Sequence, residues 1–264
     1  MMKKTAIALA ALAALILPGT ALASAWTQEA GKGQVIVTGV YSNSTKGYDG
    51  NGDTIDISDY EKLEAYALIE YGVTDDLTLM VNPSFRHVGI EGPGADTSGL
   101  GYTELGARYR VAHGDGWVAS VQGTARIPGK KRTDSLAQVG STDAEYDFRA
   151  LVGKGFKLGQ TDAFVDLQGG YRLRAGDPPN EYHADVTLGV RPAKKLQVIG
   201  QLFNTFSDGA GQGVFNSYRY HNAYLSAVYD IDDHLSFQIG GLATLGGKNA
   251  LRERGVITGL WYRF

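Results

Sequence analysis

Apolar and polar residues alternate at every second position in segment after segment of this chain. Leu63, Ala65, Ala67, Ile69 and Tyr71 are apolar, with Glu64, Tyr66 and Glu70 between them. Leu77, Leu79, Val81 and Phe85 alternate with Thr78, Asn82, Ser84 and Arg86. Leu105, Ala107 and Tyr109 alternate with Glu104, Arg108 and Arg110, and Trp117, Val121, Ala125 and Ile127 with Ser120, Gln122, Thr124 and Arg126. Residues 163–173, 182–190 and 235–245 repeat the pattern, and weaker forms run near 33–42, 144–153, 196–206, 217–230 and 254–264. A period of two puts successive side chains on opposite faces of a strand, so each segment has one apolar and one polar side. The pattern predicts about twelve strands and no helices downstream of Trp26.

The connections alternate too. Short turns are expected near 72–76, 112–116, 159–162, 192–195 and 230–234, and longer polar loops near 45–58, 89–98, 128–143, 175–181, 208–216 and 246–252. Short turns at one end and long loops at the other describe an up-and-down antiparallel meander of the outer-membrane type. Eleven tilted residues rise about 28 Å, enough to cover an apolar band of about 25 Å.

The first segment reads as an address. Lys3 and Lys4 precede an Ala- and Leu-rich run, and Ala21-Leu22-Ala23 or Ala23-Ser24-Ala25 supplies a small-residue exit. This predicts a secretory signal peptide over residues 1–23, with cleavage as late as 25, and a single domain over 24–264. The apolar run is short for a membrane helix, which argues against a retained anchor. Losing the two lysines takes the formal charge from −3 to −5.

Of the 264 residues, 36 are Gly, 15 Tyr and none Cys, which suits β structure and excludes disulfides and thiolate metal sites. The mild negative charge gives no footprint for nucleic acid, so no nucleic-acid partner is expected. No cofactor and no metal site is expected, since no P-loop, HExxH or clustered ligand spacing occurs. Asp49-Gly50-Asn51-Gly52-Asp53 has half the look of a Ca²⁺ loop but lacks the terminal Glu, and reads as a surface loop.

A soluble barrel would point its apolar face inward, and a membrane barrel outward. Three features favour the membrane. About twelve strands make a barrel too wide for a packed soluble core. Aromatics such as Tyr41, Tyr71, Phe85, Trp117, Tyr182, Phe206 and Tyr229 cluster near strand ends, as an interfacial girdle requires. The last strand alternates Val256, Thr258, Leu260, Tyr262 and Phe264, and resembles the C-terminal signature by which outer-membrane barrels are recognised. That likeness implies the barrel-assembly machinery as a partner, alongside outer-membrane lipid. The expected location is the outer membrane of a Gram-negative bacterium with periplasmic termini.

The stretch from Ser98 through Gly101-Tyr102-Thr103-Glu104-Leu105-Gly106 to Arg110 resembles a segment of the outer-membrane transporters grouped as the phenol-degradation meta-pathway (MetA-type) family. Tyr71 to Leu79 resembles its first periplasmic turn, and Arg126-Ile127-Pro128-Gly129 its strand-end Ile-Pro. Tyr102 stands where that family usually carries Asp, and Lys130 where Thr or Gly is usual. The resemblance implies a passive transporter or pore for a small-molecule solute, aromatic or hydrophobic ones among them.

The lumen would then be charged. Glu64, Arg86, Glu104, Arg108, Arg126, Asp166 and Arg172 lie near mid-strand on the inward face and are the candidates for a constriction. Cross-strand Arg–carboxylate pairs are expected among them. Tyr66, Tyr102, Tyr224 and Trp261 also point inward and could form a stacking track. Twelve strands give a backbone radius of about 12 Å, with an opening of about 10 Å or none. The alternatives are a structural or surface-recognition barrel without transport, and an outer-membrane hydrolase. A hydrolase needs a Ser activated by a neighbouring His. Among His87, His113, His183, His221 and His234, only the Asp232-Asp233-His234 stretch suggests one, and it falls in a short turn, so no catalytic residue is assigned.

Overall fold

The computed structural model describes residues 24–91, 96–129 and 143–264. The signal segment, Lys130 and most of the 128–143 loop lie outside the described residues. Among the described residues thirteen antiparallel strands are formed: β1 (Gly33–Tyr48), β2 (Thr54–Thr74), β3 (Leu77–Ile90), β4 (Asp96–Gly114), β5 (Trp117–Ile127), β6 (Glu145–Leu158), β7 (Thr161–Arg174), β8 (Glu181–Ala193), β9 (Leu196–Ser207), β10 (Arg219–Asp230), β11 (Leu235–Lys248), β12 (Ala250–Leu251) and β13 (Arg254–Arg263). β12 has two residues and only extends the rim, so twelve strands make the wall. Each strand pairs with the next in sequence, and β1 pairs with both β2 and β13, which closes the ring. Closure leaves no unpaired edge, the condition for spanning a membrane with strands.

The faces divide as alternation requires. Val37, Leu63, Leu79, Phe148, Leu188, Leu225, Ile239 and Val256 point outward and are exposed, while Glu64, Arg86, Arg108, Asp147, Asp166 and Arg172 point inward and are buried. Apolar surface of this extent, wrapped around a closed ring, suits lipid rather than water. Tyr262 and Phe264 stack outward at the short-turn end with ring centroids 6.1 Å apart, as part of the aromatic girdle.

The short turns fall where the pattern places them. In the turn between β4 and β5, Gly116 adopts φ +69°, which strains any other residue. The first long connection is shorter than expected, while the one expected near 208–216 runs from 208 to 218. Residues 45–58 are mostly paired strand, with Lys46 opposite Asp56 and Tyr48 opposite Thr54, around a turn at Asp49–Asp53. Strands continue here beyond the apolar band into water, where neither face needs to be apolar and alternation fades although backbone pairing persists. The Ca²⁺-like stretch is that turn: the Asp49 carboxylate accepts the Asn51 and Asp53 amides at 2.8 and 2.9 Å, and these bonds hold its pKa below the usual carboxylate range.

Candidate functional site: the barrel lumen

At the short-turn end, the segment ahead of β1 runs across the interior. Ala30 bridges Gly72, and the Gly31 and Gly72 amides donate to the Gly72 and Lys32 carbonyls. The Gln28 amide donates to Thr78 Oγ1 at 2.8 Å, and Gln28 Nε2 to the Glu70 carboxylate at 2.9 Å. Farther along, the Trp26 carbonyl accepts from Arg108 Nη1 at 2.9 Å. The Ala25 amide donates to Asp166 Oδ2 and its carbonyl accepts from Ser120 Oγ, both at 2.6 Å. The segment thus leaves the wall at β2 and ends against β5, β6 and β7, three to five strands farther round a ring of twelve. Seven extended residues reach about 24 Å, enough to cross such a ring.

Packing seals what the hydrogen bonds begin. Ala25 is completely buried against Val118 and Leu151. Trp26 meets the Phe164 ring edge-on at 5.8 Å. Gly153 makes room for the indole, since a Cβ there would sit 2.6 Å from its ring atoms. Gly72 does the same for the strand-like start of the segment, where a Cβ would lie 2.2 Å from the Glu29 carbonyl oxygen.

Above this crossing, the predicted charges all face inward, and most meet in cross-strand pairs. Glu64 and Arg86 stand opposite in register and bond at 2.6 Å, both essentially buried. Glu104 and Arg126 do likewise at 2.8 Å, and Arg126 also holds Glu145. Arg108 reaches Glu70 at 3.0 Å. Arg172 is shared by Asp147 and Glu181, each at 3.0 Å, and Arg174 bonds Glu145 at 2.9 Å. Arg149 links Asp147 to Asp185, and His183 and Tyr218 complete the shell around Glu181. Asp166 has a different partner: it accepts from Gln168 and from the crossing segment.

The other side of the interior carries an apolar cluster among uncharged polar side chains, with Thr38, Asn222, Ser226, Gln238 and Thr244 buried on the same strands. Val40, Tyr66, Tyr224, Leu242 and Ile257 form one buried cluster with Phe203 against it. Tyr66 and Tyr224 belong to this cluster, with Phe203 edge-on to Tyr224 at 5.4 Å. Tyr102 sits elsewhere, beneath the Arg126 guanidinium at 4.3 Å, and Trp261 donates to Gln238 near the short-turn end. The four rings therefore do not form one continuous track. A cavity of about 170 Å³ remains beside the crossing segment, with Ile36, Phe164, Ile199 and Trp261 among polar lining residues that include Gln34, Asp166, Thr187, Gln197 and Gln201.

Two features escaped the sequence reading. The crossing segment has no alternation, and its one signal is Trp26, an isolated large aromatic just after the small-residue exit. Lys62 and Glu253 pair at 3.3 Å inside the loop-end rim, in stretches too polar to show a face. The Ser–His question also has a structural answer. His234 stands two positions from Ser236, but its Nδ1 lies 2.8 Å from the Arg263 carbonyl oxygen, while Ser236 donates to Asp230. On the outer wall His87 meets Ser98 at 2.8 Å, yet among the described residues no carboxylate lies within ion-pair distance of that imidazole. A nucleophile–base pair without an orienting acid is an incomplete triad. Among the described residues no group of acidic or His side chains is placed to hold a metal ion.

Comparison with known proteins agrees with this geometry. The family described as "Putative MetA-pathway of phenol degradation" matches residues 32–264. The COG4313 outer membrane channel from Pseudomonas putida F1 superposes with TM-score 0.76 at 17% identity, covering 94% of this chain and 100% of that one. A KdgM porin in complex with disordered oligogalacturonate gives TM-score 0.55 at 12% identity, over 87% and 99% of the two chains. The translocator domain of the autotransporter NalP from Neisseria meningitidis gives 0.52 at 12% identity, over 90% of each chain. No curated protein sequence matches. These structural likenesses establish the outer-membrane barrel fold.

Proposed function

The chain belongs to the MetA-pathway phenol-degradation family, and from that premise we propose that it is a passive outer-membrane channel for small aromatic or hydrophobic solutes. The long loops face outward and the short-turn end the periplasm, where the carboxyl terminus lies and where the segment ahead of β1 enters the lumen, after removal of residues 1–23. The observation that carries this reading is the division of the lumen. One half-wall sets an apolar and aromatic cluster among uncharged polar side chains, the other is charge already paired, and the crossing segment narrows what lies between. Hydrated ions gain little from paired charges and lose water on an apolar wall, whereas an aromatic solute loses almost nothing. About 150 Å³ is room enough for a benzene-sized ring, so the space beside Trp261 and Phe164 is of the right size, and its polar lining suits an aromatic that carries a polar substituent. Arg86, Arg108, Arg126 and Arg172, with Glu64, Glu104 and Asp166, fix the shape and charge balance of the narrow part.

Planar-bilayer conductance and liposome uptake test the proposal. The whole chain should show small discrete conductance and take up a small aromatic faster than a sugar of equal size. Arg126→Ala, which leaves Glu104 and Glu145 in excess, should shift ion selectivity towards cations. A variant lacking Ser24 to Ala30 should conduct several-fold more, if heat-modifiable migration shows it has folded. The second reading, a barrel that recognises or supports without transport, draws on the density of paired charge in the lumen. No conductance from either form, with no aromatic uptake, would favour it.

A further inference from the structure

We propose that the outer wall at the loop end of β10, β11, β13 and β1 is a binding site for the phosphorylated headgroup of outer-leaflet lipopolysaccharide. Five cations gather there: Lys46, Arg219, Lys248, Arg252 and Arg254. Arg219 and Lys248 are direct register partners on neighbouring strands, so both present their side chains to the same face. Like charges placed directly opposite repel, and an anion between them removes the cost. Among the described residues, Arg219, Lys248, Arg252 and Arg254 have no carboxylate within ion-pair distance, and Lys46 has only a loose exposed contact of 3.4 Å with Asp56.

The wall itself is open here. The ladder between β11 and β13 ends at Ala243 opposite Arg254 with one further bond, from the Thr244 amide to the Glu253 carbonyl, while β12 is carried by β1 through Gly47 and Leu251. The notch between them has a volume of about 480 Å³, and Lys46, Arg252 and Arg254 border it. Glu253 borders it too, but its carboxylate turns inward to Lys62 at 3.3 Å and Ser42 at 3.1 Å, which neutralises it. The nearby Asp49 carboxylate is committed to its own turn.

Height selects the ligand. Arg254 lies ten residues from Phe264 along β13, which for a tilted strand is about 25 Å, the thickness of the apolar band. Arg252, Arg254 and Arg219 therefore stand at the upper interface, with exposed Leu245, Val256 and Tyr41 beside and beneath them for acyl chains. Phosphate above and acyl chain below, on the outer leaflet, is the chemistry of lipopolysaccharide. Arginine forks bind phosphate oxygens bidentately. The inference rests on the orientation proposed above, not on transport. Labelling of a cysteine placed at Asn51 on intact cells tests that orientation separately.

The test is titration of the full detergent-folded protein, followed by native mass spectrometry, with three probes: bis-phosphorylated lipid A, the same lipid dephosphorylated, and phosphatidylglycerol. Bis-phosphorylated lipid A should bind most tightly. Arg219→Gln, Arg252→Gln and Arg254→Gln together should weaken it roughly hundredfold, about fivefold per charge, with conductance unchanged. Equal binding of the dephosphorylated lipid or of phosphatidylglycerol overturns the proposal, and so does undiminished binding by the triple variant. Should that variant not fold, the wild-type comparison of the three lipids decides alone.

Discussion

The two halves of the lumen wall are built from the same strand geometry and solve opposite problems. On β2 to β8, inward positions carry arginines and carboxylates that satisfy one another across neighbouring strands, as in Glu64 with Arg86 and Arg172 with Asp147 and Glu181. On the opposite side, Val40, Tyr224, Leu242 and Ile257 fill the same inward positions with apolar bulk, joined by Tyr66 and by Phe203. A buried charge without its partner is costly, so the first half is rigid by necessity. The second half is held instead by apolar packing and by neutral pairs such as Gln238 with Ser226 and Thr244 with Asn222, whose loss leaves no buried charge behind. In the proposed channel, the paired charges set the shape of the passage and the apolar cluster meets what passes.

That contrast can be broken most severely at Arg172. Arg172→Met leaves Asp147 and Glu181 buried without their shared cation and should cost about 3–5 kcal/mol, read from denaturant unfolding in lipid vesicles. A cost below 1 kcal/mol would mean that the network is solvated and not a rigid wall. On the apolar side, Ile257→Val should cost only about 1 kcal/mol while measurably changing aromatic uptake; unchanged uptake would remove that half from the passage. The smallest effect is expected outside the wall, at Asp232. Its carboxylate accepts the His234 and Leu235 amides at 2.8 Å, and these bonds hold its pKa below the usual range. A lowered folded pKa gives stability that is complete above the unfolded value, about 4, and is lost as pH falls through the folded one. Unfolding midpoints should therefore drop slightly below pH 4 in the wild type, and less in Asp232→Asn.

The strand pattern, the outward apolar face and the cross-strand ion pairs were legible because each depends on a period of two or on residue type at a fixed register. Glu64–Arg86 and Glu104–Arg126 follow from the alternation alone once the turns are placed. The crossing of residues 24–32 was not legible, because its contacts join Ala25 to Asp166 and Trp26 to Arg108, far apart in sequence and with no local periodicity. The split of the lumen was hidden for a related reason. Tyr66 and Tyr224 look equivalent to Tyr102 along the chain, and only ring closure shows that two face apolar neighbours while the third lies under a guanidinium.

The buried position of Ala25 bears on the order of events when the protein is made. A chain end wrapped inside a closed cylinder cannot be tucked in afterwards, so it must already be in place when the first and last strands meet. Anything still attached ahead of Ser24 would have to be threaded through the same narrow bore, which makes leader removal a precondition for sealing the cylinder and makes an amino-terminal fusion tag a poor choice for producing it.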